Sequence, residues 1–267
     1  MNAADSAWLA RFSSDVVTAS EAELRSDITL GGKLLLGREG RLEVCYAPFE
    51  HLGRTARVVL LGITPGRHQA TNALLEVRRQ IISGADHWTA LAAAKSFASF
   101  SGPLRSNLVA MLDFIGLNSW LGLQSCATLW LGDNDLVHFT SALRFPVFVD
   151  GQNYSGQPSI TSTPLLRKFL AECLSEEASM LCHAVWVPLG PQATLAADWL
   201  VERGCLQSHM VLKGLPHPSG ANAERIAYFM ERKPRELLSP KTNAATLDAV
   251  RSQLRSKVAT LTASGLA

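Results

Sequence analysis

Two proline-containing loops hold the residues whose types and spacing are best suited to chemistry. The first is GITPG at residues 62–66, directly after the apolar run VVLL at 58–61. The second is HPSGAN at residues 217–222, after the run MVLKGLP at 210–216. Each loop follows a segment typical of a buried strand, and α/β sheets bind ligands at the carboxyl ends of their parallel strands. We therefore expect the two loops to meet at one pocket.

His217 is the residue in these loops best suited to stabilise a negative charge. Proline fixes its own backbone angle φ and restricts the residue before it, so the imidazole is held stiffly. A group held in this way can meet a developing anion without reorganising. Ser219 could bind a phosphate or cap the next helix, and Gly220 would let another backbone come close. An ordinary exposed histidine is the alternative that this motif leaves open when it is considered alone.

The first loop requires a tight turn between a strand and a helix. Gly62 and Gly66 supply conformational freedom at its two ends. The helix that follows begins with N–H groups that are free to bind an anion or a polar base edge. An ordinary strand-to-helix turn is the alternative for this loop.

The composition is that of a folded protein with a large core. Of the 267 residues, 47% are hydrophobic and 18% are charged, which excludes extensive disorder. A net charge of +2 is too small to indicate a nucleic-acid partner by itself. The five cysteines form no C-x-x-C pair, which argues against a zinc ribbon or a redox dithiol. We find no pattern of a secretion signal and no run of about 18 apolar residues, so we expect a cytoplasmic protein without a membrane span.

Short apolar segments alternate with amphipathic segments along the chain. Strands are predicted at residues 58–62, 136–143, 183–189 and 209–212, and helices at 1–28, 68–83, 90–98, 107–115, 164–174, 192–203, 222–231 and 246–260. Residues 146–164 contain Gly and Pro and are expected to be irregular. The alternation predicts an α/β fold of three α/β/α layers with a central, mostly parallel four-stranded sheet. We expect a single domain over 1–267, with helical extensions at about 1–50 and 236–267 that cap the core.

Five motifs follow one another between about residues 55 and 235. They are GITPG at 62–66, FSGPLR at 100–105, FTSALR at 139–144, VWVPLGPQA at 185–193 and HPSGAN at 217–222. The strand-helix junction LGPQA and the final HPSGAN are the most specific of the five. In this order the motifs resemble those of the uracil-DNA glycosylase superfamily, and a divergent member is indicated.

The resemblance implies base excision from DNA. Such an enzyme flips a damaged base out of the helix and hydrolyses its glycosidic bond, here without a metal or a cofactor. His217 matches the histidine that stabilises the leaving base, Thr64 occupies the position of the residue that holds the attacking water, and Phe100 matches the aromatic side chain on which the base stacks. The expected partner is single- or double-stranded DNA, bound by a monomer. The other residues implied at the base are Gly62, Ile63, Pro65, Gly66 and Ser141, and those implied at the DNA are Ser219, Gly220, Ala221, Asn222 and Arg225.

Three positions depart from the pattern of the superfamily. Thr64 stands where strongly active relatives have Asp or Asn, and a threonine hydroxyl can hold a water but is a poor base. Ser141 stands where the superfamily has an asparagine whose amide binds the polar edge of uracil, and a single hydroxyl cannot make that paired contact. Ala221 stands where many relatives have a bulky side chain that fills the gap left by the flipped base. The iron–sulfur branch is excluded because its cysteine pattern is absent from the sequence.

Further side chains could assist at the pocket or bind DNA. Lys213, next to the second loop, is the best candidate for a phosphate contact, and Trp88 is expected to face the pocket. Glu76, Asp150 and His68 could replace the missing carboxylate, and ordinary surface positions are the alternative for each of them. The cations that could form a basic rim are Arg67, Arg78, Arg79, Lys95 and Arg105.

Three functions are compatible with these residues. The first is a DNA glycosylase that excises uracil or another deaminated base. The second is a non-catalytic nucleic-acid-binding protein on the same scaffold, which the residues Thr64 and Ser141 favour. The third is a hydrolase or transferase that acts on a small nucleoside-like ligand. A base-sized cavity with a basic rim would favour the first, a filled cavity with such a rim the second, and a cavity without a rim the third.

Overall fold

Two β-sheets, one parallel and one antiparallel, organise the fold. The computed structural model describes residues 7–100, 102–131 and 135–263. Residues 1–6 of the first predicted helix and Ser101 of the second motif therefore lie outside the described residues. The strands are β1 (Leu35–Glu39), β2 (Leu42–Cys45), β3 (Val58–Gly62), β4 (Val137–Ser141), β5 (Val147–Val149), β6 (Gln152–Asn153) and β7 (Val185–Pro188).

β3 is the middle strand of the parallel sheet. It pairs with β4 on one side and with β7 on the other. All five of its residues are buried, as is typical of a strand that is covered on both faces. The predicted strand at 58–62 is therefore confirmed, and so is the α/β class. The carboxyl ends of β3 and β4 lie side by side, with Gly62 opposite Ser141.

The predicted fourth parallel strand at 209–212 is wrong. Ser208–Met210 form a turn of 3-10 helix, and a single parallel bridge then joins Val211 to Trp186. Two residues after Leu212 the chain reaches Gly214, whose φ of +100° is not a strand conformation. Between the turn before the bridge and the glycine after it, few residues remain that could pair with β7 as a strand. Among the described residues the parallel sheet therefore has three strands.

The antiparallel sheet has the order β1–β2–β5–β6. β5 and β6 fall within 146–164, so the prediction of irregular structure is wrong for that part of the chain. β5 has three residues and β6 has two, which is too short for a periodic pattern to be recognised in the sequence. Their pairing depends on β2, which supplies the backbone partners of β5.

Most of the predicted helices are present in the structure. Those predicted at 68–83, 90–98, 107–115, 192–203 and 246–260 are confirmed, with ends that differ by a few residues. None of the helices in the described ranges is long and apolar enough to cross a membrane. The helices are α1 (Ala7–Thr18), α2 (Glu21–Ser26), α3 (Arg67–Ile82), α4 (His87–Ala98), α5 (Pro103–Phe114), α6 (Leu117–Trp120), α7 (Pro164–Phe169), α8 (Ser175–Met180), α9 (Pro191–Glu202), α10 (Ala223–Phe229) and α11 (Ala244–Ala263).

The prediction of one continuous helix at 1–28 is wrong. α1 ends at Thr18 and α2 begins at Glu21, because Ser20 caps the second helix. The Ser20 hydroxyl accepts a hydrogen bond from the backbone N–H of Glu23 at 3.2 Å, and the Glu23 carboxylate accepts one from the backbone N–H of Ser20 at 2.8 Å. This capping box satisfies donors that the start of a helix leaves open.

Alternate residues of β3 belong to two hydrophobic cores. Val59 and Leu61 join a core with side chains of α1, α3, α4 and the antiparallel sheet. Val58 and Leu60 join a second core with side chains of α5 and α11. The first helix, α1, therefore belongs to the first core and the last helix, α11, to the second. Their fully or almost fully buried side chains include Leu9, Phe12 and Val16 of α1 and Leu254, Val258 and Leu261 of α11.

Candidate functional site

A cavity of about 70 Å³ lies at the carboxyl ends of β3 and β4. The two loops meet there as expected, and Gly66 lies just outside the lining. The lining residues that were predicted at the base or in catalysis are Gly62, Ile63, Thr64, Pro65, Phe100, Ser141 and His217. The other lining residues are Phe49, Gln69, Lys95, Ser99, Leu104, Phe139, Thr140 and Arg144.

Gly62 allows the ring of Phe100 to lie against the end of β3. A methyl group at Gly62 would stand 3.4 Å from a ring carbon of Phe100 and 3.3 Å from the hydroxyl of Ser141. Phe100 itself has a φ of +48°, which is rare for a bulky side chain. Its ring packs edge to face on Phe139, with 6.0 Å between the ring centres. These contacts fix an aromatic ring at the cavity.

Thr64 ties the first loop to the antiparallel sheet. Its hydroxyl donates to the carbonyl oxygen of Phe145 at 3.0 Å and accepts from the backbone N–H of Val147 at 3.2 Å. A hydroxyl has one proton and two lone pairs, so one lone pair remains for a further partner. The Thr64 hydroxyl can therefore accept a hydrogen bond from a water in the cavity, but its own proton is already donated.

The start of α3 is capped by the protein itself. The backbone N–H of Arg67 donates to the side-chain oxygen of Asn153 at 2.9 Å. The backbone N–H of Gly66 donates to the side-chain oxygen of Gln69 at 3.3 Å. The sequence predicts free N–H groups at this helix start, and for these two residues the prediction is wrong.

The hydrogen bonds of His217 determine which of its ring nitrogens carries the proton. Its Nδ1 accepts from the backbone N–H of Ser219 at 3.3 Å. A neutral imidazole has one acceptor nitrogen and one donor nitrogen, so the proton is on Nε2. Burial lowers the pKa of His217 below its ordinary value, which keeps the ring neutral at pH 7. His217 therefore brings a neutral Nε2–H donor to the cavity.

Two neighbouring elements hold the His217 loop in place. Gly190, just before α9, has a φ of +88°, and a methyl group there would lie 3.1 Å from Cβ of His217. Asn107 of α5 donates its side-chain N–H to the carbonyl oxygen of Pro218 at 2.9 Å. The glycine of the LGPQA junction is therefore required both by its backbone conformation and by its contact with the histidine.

The residues predicted to bind DNA lie outside the cavity and are bonded to one another. The hydroxyl of Ser219 accepts from the amide of Asn222 at 3.2 Å, and the oxygen of that amide accepts from Arg225 at 2.9 Å. Gly220 and Ala221 are exposed beside them. These bonds fix the exposed loop relative to α10.

The basic rim is not formed as predicted. Lys95 has 4% of its surface exposed, so its prediction as a rim residue is wrong. Lys213, which was expected to bind a phosphate, forms an ion pair with Asp198. The other predicted rim cations are also engaged within the protein, Arg67 with Gly151, Arg78 with Ala19, Arg79 with Glu76 and Arg105 with Ser99. A cavity without the predicted rim is the outcome that favours a small nucleoside-like ligand, and DNA binding would require exposed cations elsewhere on the surface.

The carboxylates and the tryptophan that could have assisted at the pocket lie elsewhere. Glu76 and Asp150 form surface ion pairs with arginines. His68 is exposed in the first turn of α3.

Trp88 was expected to face the pocket, but it packs on His51 with 4.4 Å between the ring centres and lines a neighbouring cavity. Lys95 and Phe139 line both cavities. The prediction for Trp88 is therefore wrong.

Lys95, Thr140 and Arg144 also line the cavity, although the sequence assigned Lys95 to the rim and gave the other two no role. Lys95 lies in the predicted helix at 90–98, and Thr140 lies in the predicted strand at 136–143, which Arg144 directly follows. In such segments the apolar side chains form the pattern that is recognised. A polar or charged residue within an apolar segment was the signal that could have indicated them. Such a residue is buried together with the segment, and a buried polar group requires a partner, which can be a ligand.

Buried charges surround these three residues. Arg144 donates to Glu177 at 2.7 Å, and His138 donates to the same carboxylate at 3.1 Å. Burial raises the pKa of Glu177, but Arg144 and the bond from His138 outweigh it and hold that pKa well below its usual range. Burial lowers the pKa of Lys95 to about 8 and raises the pKa of Glu50 to about 7. The cavity therefore lies next to a network of compensated charges.

The fold and the site define a mixed α/β protein with a polar cavity at the carboxyl ends of its parallel strands. Over 201 residues the chain is 35% identical to the uncharacterized protein YoxB of Bacillus subtilis (strain 168), and the match covers 74% of this chain and 78% of that protein. The chain belongs to the same family as YoxB. No family model matches the chain, and no solved structure matches it.

Proposed function

We propose that this protein is a DNA base-excision glycosylase of the uracil-DNA glycosylase superfamily. Its substrate would be a flipped-out uracil or another deaminated base in DNA. The observation that carries the proposal is that Thr64, Phe100, Ser141 and His217, which come from four distant segments, line one cavity. The proposal includes a three-layer, uracil-DNA glycosylase-like fold and a cytoplasmic monomer.

The reaction breaks the bond between the base nitrogen and C1′ of the sugar. The electron pair of that bond stays with the base, which leaves as an anion. The Nε2–H of His217 donates a hydrogen bond to the base oxygen on which the charge develops, as a preorganised donor. A water adds to C1′ and releases its proton to the solvent, while the anionic base takes up a proton. The ring of Phe100 stacks on the base, a contact worth about 1–3 kcal/mol.

Within the described ranges, the lining of the cavity offers no carboxylate as a general base, so the catalysis has to come mainly from stabilisation of the leaving base. None of the side chains that line the cavity, in the part of the chain that the structure describes, is Asp or Glu. Thr64 can only accept a hydrogen bond from the attacking water, because its proton is donated to Phe145. Stabilisation of the anion by His217 therefore has to supply most of the rate.

Exposed cations that could contact DNA lie on α10, which follows the His217 loop, and in the segment after that helix. The segment after α10 returns to the start of that helix, because the carboxylate of Glu224 accepts from the backbone N–H of Ser239 at 3.1 Å and from the hydroxyl of Thr242 at 2.6 Å. Arg225 also donates to the carbonyl oxygen of Lys241 at 3.2 Å, so these two basic residues lie together at the first part of α10, soon after the loop. Basic side chains grouped in this way suit phosphates. The exposed cations are Arg225, Arg232, Arg235 and Lys241.

Leu237 lies on the same returning segment, and 65% of its surface is exposed. It is an apolar side chain that could enter the base stack in place of the short Ala221. We expect Leu237→Ala to reduce excision from double-stranded DNA and to have little effect on single-stranded DNA, where no base pair has to be opened. Ile82→Ala removes another exposed apolar side chain, at the far end of α3, and serves as the control. An equal loss on both DNA forms would contradict this role.

The function is tested by cleavage of labelled oligonucleotides that carry uracil, hypoxanthine or xanthine, with alkali to reveal abasic sites. Wild type should excise at least one of these bases. His217→Ala should reduce the rate by about 10²–10³-fold, as loss of one anion-stabilising donor does in other enzymes. His209→Ala removes an exposed histidine outside the cavity and should leave the rate unchanged. Equal excision by wild type and His217→Ala would overturn the proposal.

A non-catalytic nucleic-acid-binding protein is the second candidate. The engaged hydroxyl of Thr64 and the lack of a lining carboxylate favour it, since neither can act as a strong base. This candidate predicts no excision from any of the three substrates, together with DNA binding that weakens steeply as salt rises. The same oligonucleotides in a binding assay at two salt concentrations separate the two candidates.

A further inference from the structure

Lys95, Thr140 and Arg144 form a set of polar side chains at the cavity that the proposed chemistry does not use, here termed the donor cluster. An ammonium group has three N–H donors and a guanidinium has five, and neither group can accept a hydrogen bond. A threonine hydroxyl can donate one further hydrogen bond and can also accept. The cluster therefore presents mainly donors to whatever enters the cavity.

Lys95 and Thr140 retain hydrogen-bonding capacity in the described part of the chain. Lys95 is almost fully buried, and its ammonium group makes one hydrogen bond there, to the carbonyl oxygen of His51 at 2.6 Å. The hydroxyl of Thr140 is buried and has no hydrogen-bond partner among the described residues. A buried polar atom without a partner is costly, which indicates that a ligand or a water normally satisfies it.

Arg144 is held in place by its neighbours. Its guanidinium donates to the carboxylate of Glu177 at 2.7 Å and to the carbonyl oxygen of Cys173 at 3.3 Å. Glu177 is itself 2% exposed, so the position of the guanidinium is determined by a packed core. A donor group that is fixed in this way discriminates between ligands better than a flexible one.

The size of the cavity restricts the ligand further. Its volume is about 70 Å³. A cavity of about 150 Å³ is known to hold one benzene ring, so this cavity must widen to about twice its volume to enclose even a single ring. A purine, which has two fused rings, would require a much larger opening.

We propose that Lys95 and Thr140, supported by Arg144, are specificity-determining residues that select a one-ring base with two carbonyl groups over one with an amino group. They would do so in place of the asparagine that Ser141 replaces. Uracil presents carbonyl oxygens to these donors, whereas cytosine presents an amino group that also donates. Two donors that face each other leave a buried group unpaired, which is strongly unfavourable. The inference rests on the proposed function in taking the ligand to be a DNA base.

The first test is the binding of free uracil and free cytosine to the full-length protein by calorimetry. Wild type should bind uracil at least about tenfold more tightly than cytosine, since sites that hydrogen-bond a ligand reject mismatched analogues by such factors or more. Lys95→Met, which keeps the length of the side chain, should lose that preference. Lys257→Met is the matched control, because Lys257 also donates to a backbone carbonyl, that of Val211 at 3.1 Å, and does not line the cavity.

Thr140→Val provides a second variant of nearly unchanged shape in case Lys95→Met does not fold, which circular dichroism would show. It should lower the preference for uracil about twofold or more, as expected for loss of one neutral hydrogen bond of about 0.5–1.5 kcal/mol. No preference in wild type, including no binding of either base, overturns the inference. An unchanged preference in both folded variants overturns it as well.

Excision measurements separate this inference from the proposed function. If wild type excises uracil and Lys95→Met excises the same bases in the same ranking, the inference fails and the glycosylase stands. If wild type excises nothing but binds uracil in a manner that depends on Lys95, the glycosylase fails and the donor cluster is supported as a binding site.

Discussion

At the residue scale, the neighbours of His217 keep it neutral and in one tautomer. The backbone N–H of Ser219 donates to its Nδ1. If the ring gained its second proton, Nδ1 would carry it, and two donors would then face each other. Burial acts in the same direction, because it disfavours the charged imidazolium. A neutral donor is therefore available over a wide pH range.

The rate of excision should depend on pH through His217. Because its pKa lies below the ordinary value of 6.5, kcat/KM should be at its plateau near pH 8 and fall with a midpoint below pH 6.5, as the ring gains a proton and the active neutral form is lost. A pH–rate profile with a uracil-containing oligonucleotide measures this. His217→Gln does not titrate in this range and should lack the acid limb. An acid limb centred above pH 7 would contradict the expectation.

Gly190→Ala should displace His217. Gly190 has φ of +88° and ψ of 176°, a conformation that is almost restricted to glycine and costs other residues on the order of 1–3 kcal/mol. The added methyl group would also press on Cβ of His217. Thermal unfolding should show the loss of stability, and oligonucleotide cleavage should show a loss of activity.

Gly204→Ala is the control for Gly190→Ala. Gly204 has a φ of +72°, and a methyl group there would have no neighbour within 4 Å. This variant should therefore lose stability through backbone strain and keep its activity. A similar loss of activity in both variants would show that the contact with His217 is unimportant.

At the scale of secondary-structure elements, Glu177 joins α8 to both ends of β4. Its carboxylate accepts from His138 within β4 and from Arg144, three residues beyond the end of the strand. Arg144 is charged and mostly buried, and this carboxylate is the partner that compensates it most. His138 is buried and neutral, and the carboxylate satisfies its N–H donor. The end of β4 that supplies Thr140 and Ser141 to the cavity is thereby anchored.

Glu177→Ala should destabilise the protein strongly. Removal of one partner of a buried ion pair leaves the other charge uncompensated and typically costs about 3–5 kcal/mol. The free energy of unfolding in urea, measured for wild type and variant, gives this value. The neighbouring Glu176 is exposed, and Glu176→Ala should change the stability by less than about 0.5 kcal/mol. Similar small losses for both variants would mean that Arg144 finds water or another partner.

At the scale of the whole molecule, the helix near the end of the described chain supports the segment that leads to His217. α11 buries Leu254, Val258 and Leu261 in the second core. A methyl group at Gly214 would stand 2.8 Å from a methyl group of Val250, so α11 and this segment are in close contact. α11 is therefore part of the structure that positions the second loop.

Leu254→Ala should lower the stability of the whole molecule. Leu254 is 1% exposed, and truncation of a buried leucine to alanine typically costs about 2–5 kcal/mol. Gln253→Ala, at an exposed position of the same helix, should change it by less than about 0.5 kcal/mol. Chemical denaturation of the two variants measures the difference. A loss below about 1 kcal/mol for Leu254→Ala would show that α11 is only loosely packed.

The sequence by itself determined the features that depend on neighbouring residues. The run VVLL is too short for a helix and too apolar for the surface, so β3 could be predicted from it. Gly62 frees the backbone locally and Pro218 restricts it, and the loops that contain them were identified for that reason. The meeting of the two loops, which bring Thr64 and His217 to one cavity, was predicted from the rule that parallel strands end at the same edge of a sheet. The presence of Phe100 and Ser141 beside them was implied only by the resemblance of the motifs.

Tertiary structure alone decided the polar contacts and the shorter strands. Lys95 was expected on the surface, but it is buried because a carbonyl oxygen 44 residues away, that of His51, accepts its hydrogen bond. The hydroxyl of Thr64 is engaged by Phe145, 81 residues further along the chain, and Arg144 is compensated by Glu177, 33 residues further along. Whether a polar side chain is buried, and what it binds, depends on which distant segments pack around it, and the local pattern of residues does not contain that information.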